Sequence, residues 1–143
     1  MVFDIKKKLF ATTDPFVVLH PTGGNPFVVQ PTAEGMFVAN EHGELIAQVI
    51  FDKGSATVAV AEDDDALTVF ADGKITTAKD RVKYLVYGNP GTYTYDIFAG
   101  KKLAAKVAPK FFDKHLFSIN HTEGNLLKLV LIVLALEKMY FAG

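Results

Sequence analysis

The stretch LLKLVLIVLALEKM, residues 126–139, determines how the rest of the chain must be arranged. It contains no Gly or Pro, and Asn125 directly before it is a suitable N-cap, so we predict a helix of about four turns. Its apolar side chains point in every direction around the helix instead of forming one stripe. The uncharged centre, residues 129–136, is too short to cross a bilayer, which takes about 20 predominantly apolar residues. We therefore expect this helix to be enclosed by its own chain.

The first 120 residues are short runs of alternating polar and apolar side chains, separated by turn residues, as is typical of an antiparallel β protein. We predict ten strands, at residues 16–20, 27–30, 36–40, 45–51, 56–61, 66–70, 82–87, 93–98, 103–108 and 116–120. Enough strands are present to surround the terminal helix and to hide their own edges. The predicted fold is mainly β (α+β): a closed or nearly closed antiparallel β-barrel wrapped around a hydrophobic C-terminal helix.

Length and composition favour one domain, residues 1–143, because 15.6 kDa is the size of an ordinary domain. Half of the residues are apolar and 22% are charged, which excludes a disordered or fibrous chain. There is no cysteine, so disulfides and thiolate chemistry are excluded and a cytoplasmic location is favoured. The first residues contain three consecutive lysines and no apolar secretory core, so we predict no signal peptide. The short uncharged centre at residues 129–136 likewise leads us to predict no transmembrane segment.

Catalytic patterns are absent from the sequence. The only serines are Ser55 and Ser118, and neither lies in a Gly-x-Ser-x-Gly sequence. No glycine-rich nucleotide-binding sequence occurs. We therefore predict a non-catalytic protein with no cofactor.

A metal site is not predicted either. The four histidines do not have the spacing of metal ligands on one helix or hairpin. Only His115 and His121 come loosely near such a spacing. The acidic run at residues 62–65 lacks the alternation and the glycine of a calcium loop, so it is interpreted as a solvated turn.

Charge is distributed unevenly along the chain. The formal net charge is −1, but residues 34–72 carry −8 and residues 73–114 carry +6. We expect these two segments to lie on different faces. In the basic segment, strand alternation places Lys102, Lys106 and Lys110 together on one outer face.

The same alternation directs four apolar neighbours to the inner face: Leu103, Ala105, Val107 and Phe111. Lys79 and Arg81 also point together if their segment is extended. These five bases are the candidate anion-binding residues, although an ordinary solvated outer face explains them as well. The pI near 6.4 and the absence of a stacking aromatic motif disfavour nucleic acid as a partner.

The late hairpin and the terminal helix together resemble the tubby C-terminal-like family, especially the short proteins related to LURP-one and the phospholipid scramblases. The resemblance lies in residues 95–107 (YDIFAGKKLAAKV), in Lys110-Phe111-Phe112, in Phe117-Ser118-Ile119 and in the run from Leu126 to Leu136. It implies a twelve-stranded barrel around a central hydrophobic helix. It also implies that basic surface side chains could bind phosphoinositide head groups, as in some members of that family.

The leading hypothesis is a non-catalytic, cytoplasmic domain that docks on anionic phospholipid head groups, peripherally at the membrane, or on a protein partner. Lysines of the late strands would form the docking surface. One alternative is a small-molecule binding module or enzyme with a pocket near His115 and His121. Another is a structural or interaction protein that self-associates through an exposed aromatic strand. The sequence leaves the oligomeric state open.

Overall fold

A computed structural model of the chain describes residues 2–9, 17–19 and 25–141. In these residues the chain forms twelve strands, one α-helix and a short 3₁₀ turn at Pro90–Thr92. The strands are β1 Val2–Lys6, β2 Val17–Leu19, β3 Phe27–Pro31, β4 Gly35–Ala39, β5 Leu45–Asp52, β6 Ser55–Val60, β7 Asp63–Phe70, β8 Ile75–Thr77, β9 Tyr84–Asn89, β10 Thr94–Ala99, β11 Lys102–Pro109 and β12 Leu116–His121. The helix, α1, is Leu126–Phe141. The predicted α+β fold, mainly antiparallel β with one C-terminal helix, is confirmed.

The strands form two antiparallel sheets, not one closed sheet. The five-stranded sheet has the order β1-β12-β11-β10-β9, and the seven-stranded sheet contains β2 to β8 in chain order. Strands β8 and β9 lie near each other, but the residues between them, 78–83, form bends. Within those bends Asp80 is left-handed (φ 53°), a conformation that does not continue a strand. No ladder joins the two sheets in the described part of the chain, so the predicted closed barrel is wrong.

The helix lies between the two sheets. It contacts β6 and β7 of the seven-stranded sheet and β12 of the five-stranded sheet. Residues 128–137 are all buried, and Asn125 Oδ1 accepts a hydrogen bond of 3.1 Å from the backbone N–H of Lys128. The predicted N-cap and the predicted enclosure of the helix are therefore confirmed. None of the helical structure in residues 2–9, 17–19 and 25–141 has the length and apolarity that a membrane span requires.

Strand alternation supplies the walls around α1. In the five-stranded sheet, Phe3 is paired with Ile119 and Ile5 with Phe117, and all four side chains are buried. The residues between them face outward, since successive side chains of a strand point to opposite faces. The residue pattern of each strand therefore determines which face covers the helix.

Two short strands, β1 and β8, were not expected from the sequence. Both offer only a short pattern: β1 (VFDIK) ends in a lysine run, and β8 is the tripeptide ITT. The predicted strand at 16–20 corresponds to β2, while Phe16 and His20 lie outside the described residues. The remaining predicted strands overlap observed ones, with ends that differ by up to three residues.

Candidate functional site

The structure brings Lys79 and Arg81 together, but around a carboxylate. Both residues lie in the bends between β8 and β9 and are not extended. The Lys79 ammonium forms a short ion pair with Asp64, and Arg81 Nη1 lies 2.9 Å from Asp64 Oδ1. The hydrogen bond from Lys79 lowers the pKa of Asp64 below its ordinary value. The two predicted anion-binding side chains are thus already bound to an acidic side chain of the same protein.

The acidic run at 62–65 is not the solvated turn that we expected. It leads into β7, where the side chain of Asp65 is buried and accepts hydrogen bonds from the backbone N–H groups of Lys79 (2.5 Å) and Arg81 (3.3 Å). These bonds hold the bend that carries the two bases. Here the acidic and the basic segments meet, so the expectation that they occupy different faces is wrong at this position.

A buried lysine of α1 also contacts the acidic run. Lys128 is only 3% exposed, and its Nζ lies 2.8 Å from Asp63 Oδ2 and 2.7 Å from the backbone oxygen of Asp65. The hydrogen bond from Lys128 lowers the pKa of Asp63. This contact fastens the first turn of the helix to β7. It was not predictable from the sequence, where a single lysine only interrupts an apolar run.

The predicted lysine ridge is interrupted by a β-bulge in β11. Ile97 pairs with Ala105 and Phe98 with Leu103, so Ala104 is an extra residue in β11. Ala104 and Ala105 are consecutive and both buried. Residues before the bulge therefore point to the face opposite to the one that simple alternation predicts from the residues after it. Leu103, expected to face inward, is therefore partly exposed on the outer face with Lys106. Lys102 falls out of line with Lys106, and Lys110 lies beyond the end of β11, so the single ridge is wrong.

The three lysines of the predicted ridge are each paired with an acid. The N–O distances are 3.1 Å for Lys102 with Glu123, 3.7 Å for Lys106 with Asp96 and 3.2 Å for Lys110 with Asp4. These are exposed or half-exposed pairs, and each contributes about 0–1 kcal/mol to stability. Their consequence is electrostatic: the acids reduce the positive potential at the residues that the sequence selected.

Five lysines gather instead at one end of the five-stranded sheet, which we call the basic end: Lys6, Lys7, Lys8, Lys110 and Lys114. The pairing of β1 with β12 places Lys6 opposite Leu116, and the backbone N–H of Lys7 donates to the His115 oxygen (2.8 Å). This joins the N-terminal lysines to the β11–β12 loop, residues 110–115. Of the acids that the structure describes, Asp4 and Asp113 are exposed at this end.

Among the described residues, Lys6, Lys8 and Lys114 of the basic end form no ion pair. This cluster was not predicted, because β1 was not recognised as a strand. Two features of the sequence could have indicated it. One is the run of three lysines at residues 6–8, and the other is the pair Lys110 and Lys114.

A buried tyrosine–glutamate pair positions the N-terminal lysines. Glu137 of α1 accepts hydrogen bonds from the hydroxyl of Tyr93 (3.1 Å) and from the backbone N–H of Leu9 (3.2 Å). The backbone N–H of Lys8 donates to the Tyr93 hydroxyl (3.0 Å), and Lys7 Nζ lies 5.2 Å from the centre of the Tyr93 ring. Burial raises the pKa of Glu137 and raises the pKa of Tyr93 to about 12. The segment 7–9 is thereby held against the end of the helix.

The two histidines that could have marked a pocket do not converge. They occupy opposite ends of β12, and His121 Nε2 lies 2.9 Å from the Gly124 backbone oxygen. Residues 2–9, 17–19 and 25–141 contain no group of three or more His, Asp or Glu side chains that could hold a metal ion. One surface depression that the structure does show is lined by Leu45, Gln48 and their neighbours, on the other sheet.

Comparison with known proteins gives a likeness of fold. No protein-family model matches the chain, and no curated protein matches its sequence. The X-ray structure of a protein from Arabidopsis thaliana, identified there by its gene locus alone, superposes with a TM-score of 0.65 over 96% of this chain and 90% of that one. The two sequences are 12% identical, so the likeness concerns the fold alone. Two sheets enclosing a C-terminal helix are therefore an arrangement shared with a known structure.

Proposed function

We propose that this protein is a non-catalytic, cytoplasmic domain that attaches peripherally to anionic lipid surfaces through its basic end. The observation that carries the proposal is the imbalance of charge there: among residues 2–9, 17–19 and 25–141, five lysines lie near two exposed carboxylates. Lys102 and Lys106 of the late strands, by contrast, are each paired with an acid. The same target was expected from the sequence, but the structure favours a different set of residues for it.

The expected strength of attachment follows from the number of available charges. A lysine close to an anionic leaflet contributes about 1 kcal/mol, and the attraction decays within a Debye length of about 8–10 Å at physiological salt. Lys6 and Lys114, which have no acidic partner among the described residues, therefore supply roughly 2 kcal/mol, which corresponds to an affinity enhancement of about 30-fold. That is the strength of a reversible peripheral contact.

The resemblance of the late hairpin to the tubby C-terminal-like family remains part of this proposal. Some members of that family bind phosphoinositide head groups, and the basic end offers a cluster of ammonium groups to such head groups. In this chain Lys79 and Arg81 would have to release Asp64 before they could bind a phosphate.

A protein partner is the second candidate. It is favoured by a row of apolar side chains on the outer face of the five-stranded sheet, where Phe98 pairs with Leu85 on one side and with Leu103 on the other. Leu85 and Leu103 are both exposed. Contiguous exposed apolar side chains of this kind are a common feature of protein-binding surfaces.

The proposal is tested by cosedimentation with vesicles of phosphatidylcholine alone and of phosphatidylcholine with phosphatidylserine. The protein should bind the anionic vesicles at about 0.1 M salt and bind them much more weakly at about 1 M, where the Debye length falls to about 3 Å. The double variant Lys6→Glu/Lys114→Glu should bind at least about 30-fold more weakly, since two lysine contributions are lost.

The matched control is Lys102→Glu/Lys106→Glu, which changes the net charge equally on paired lysines of the late strands. It should lose much less affinity. Equal binding to neutral vesicles, or an equal loss in both double variants, would contradict attachment through the basic end. Absence of binding to any vesicle would favour the protein partner.

A further inference from the structure

Two adjacent phenylalanines project from the basic end. Phe111 and Phe112, in the β11–β12 loop, are 92% and 97% exposed. Their rings meet edge to face with centres 4.9 Å apart. Phe111 was expected to face inward as a continuation of β11, but the strand ends at Pro109 and the alternation ends with it. Exposing two whole aromatic side chains costs hydration free energy unless another apolar phase receives them.

The loop that carries the two rings is structured by hydrogen bonds. Lys110 N–H donates to the Leu116 backbone oxygen (3.0 Å), and Leu116 N–H donates to the Asp113 backbone oxygen (3.1 Å). The Asp113 carboxylate in turn accepts from the backbone N–H of His115 (2.9 Å). The loop is thus closed at its base, and the phenylalanines form its tip.

The charges around this tip indicate what receives it. Lys110 and Lys114 flank the phenylalanines in the loop, and Lys6 lies at the end of the neighbouring strand. The exposed carboxylate of Asp113 directly follows Phe112, but these lysines outnumber it. An apolar tip with an excess of ammonium groups around it matches the layers of an anionic leaflet, in which negative head groups cover an apolar interior. Pairing of two tips from two copies of this chain would instead bring lysines against lysines, and like charges repel.

We infer that Phe111 and Phe112 insert into the head-group and acyl-chain boundary of an anionic bilayer, while the lysines of the basic end contact the head groups. The inference rests on the proposed function, because it takes the lipid surface as the partner. It adds an apolar contribution that salt does not screen, and it fixes the orientation of the protein, with the β11–β12 loop toward the membrane.

Insertion can be read directly because the chain contains no tryptophan. In Phe112→Trp, the single indole should shift to shorter emission wavelength on addition of phosphatidylserine-containing vesicles, and brominated acyl chains should quench it. The matched control is Leu45→Trp, at a site that is also exposed but lies on the seven-stranded sheet. Its emission should not change when the protein binds.

A second variant measures the contribution of the tip to affinity. Phe111→Ser/Phe112→Ser should lower partitioning onto anionic vesicles roughly tenfold or more, and the residual binding should be fully removed by salt. Because both side chains are exposed, the thermal unfolding temperature should stay at or above that of the parent protein.

The outcomes separate the inference from the function on which it rests. If the parent protein does not bind anionic vesicles, both are overturned. If it binds, but the indole emission of Phe112→Trp is unshifted and the double serine variant binds equally, the insertion alone is overturned. An indole shift that grows with protein concentration in the absence of lipid would overturn it as well, because the tip would then be a contact between copies.

Discussion

Replacement of Lys128 by Met tests how the helix is anchored between the sheets. Lys128→Met keeps an unbranched side chain of similar length in the buried position but removes the ammonium. The Asp65 backbone oxygen then loses its donor, which costs about 1–3 kcal/mol for a buried acceptor. The Asp63 carboxylate also loses its charged partner, but its side chain is 30% exposed and water replaces part of that bond.

The change in the free energy of unfolding combines these two losses with one gain. Removing one partner of a fully buried ion pair costs about 3–5 kcal/mol, and the partial hydration of Asp63 places this site below that range. The folded protein also no longer bears the desolvation of a buried ammonium. We therefore expect Lys128→Met to lower the free energy of unfolding by about 2–3 kcal/mol at pH 7.

The assay is urea unfolding at pH 7, with Lys102→Met as the matched control. Lys102 forms an exposed ion pair, so its replacement should cost less than about 1 kcal/mol. Equal, small costs for the two variants would refute the argument that the buried lysine anchors the helix.

The pH dependence of the Lys128→Met effect gives a second readout. Lys128 lowers the folded-state pKa of Asp63 from the ordinary 3.8, so the unfolded chain binds more protons than the folded one between the two values. The stabilisation is complete above about pH 3.8 and is lost as the pH falls through the lower folded-state value. The difference between parent and variant should shrink over that acidic interval, and a difference that grows there would contradict the assignment.

Two further predictions concern the end of the helix and a close strand contact. Burial raises the pKa of Glu137 above the ordinary 4.5, so the folded state binds more protons and stability falls as the pH rises through that interval. Glu137→Gln should flatten this decline in urea titrations from pH 4.5 upward, and an unchanged decline would contradict it. A Cβ at Gly35 would lie 1.8 Å from the Val49 backbone oxygen, so Gly35→Ala should cost about 3 kcal/mol or more, measured by thermal unfolding. Gly54→Ala, which strains only a positive φ of 68° in open space, should cost about 1–2 kcal/mol, and the reverse order of the two costs would contradict the packing argument.

The features that depend on local sequence were predictable. The helix was expected at residues 126–139 and is found at Leu126–Phe141, with Asn125 as its cap. Its enclosure also followed from the sequence, because side chains that are apolar on all sides have only one favourable environment in water. The strands with strong alternation were located for the same reason.

The features that depend on distant pairing were not predictable. On the side of β8 and β9 the two sheets stay separate at residues 78–83, where a left-handed Asp80 ends the approach of β8 to β9. The alternation rule failed at Ala104, because a bulge inserts one residue without a distinctive composition. The pairing of the candidate anion-binding bases with acids was not predictable for a similar reason, since Asp64 and Asp96 lie next to them only in the folded protein.

The pairing of β1 with β12 has a consequence for synthesis on the ribosome. Val2 aligns with Asn120, so β1 cannot pair until β12 has been synthesised, whereas the hairpins of the seven-stranded sheet need only residues 17–77. At about 5–20 residues per second, α1 follows that sheet by roughly 3–13 s. During this interval the face of the seven-stranded sheet that α1 will cover is exposed, and chaperones that recognise apolar surfaces can bind it.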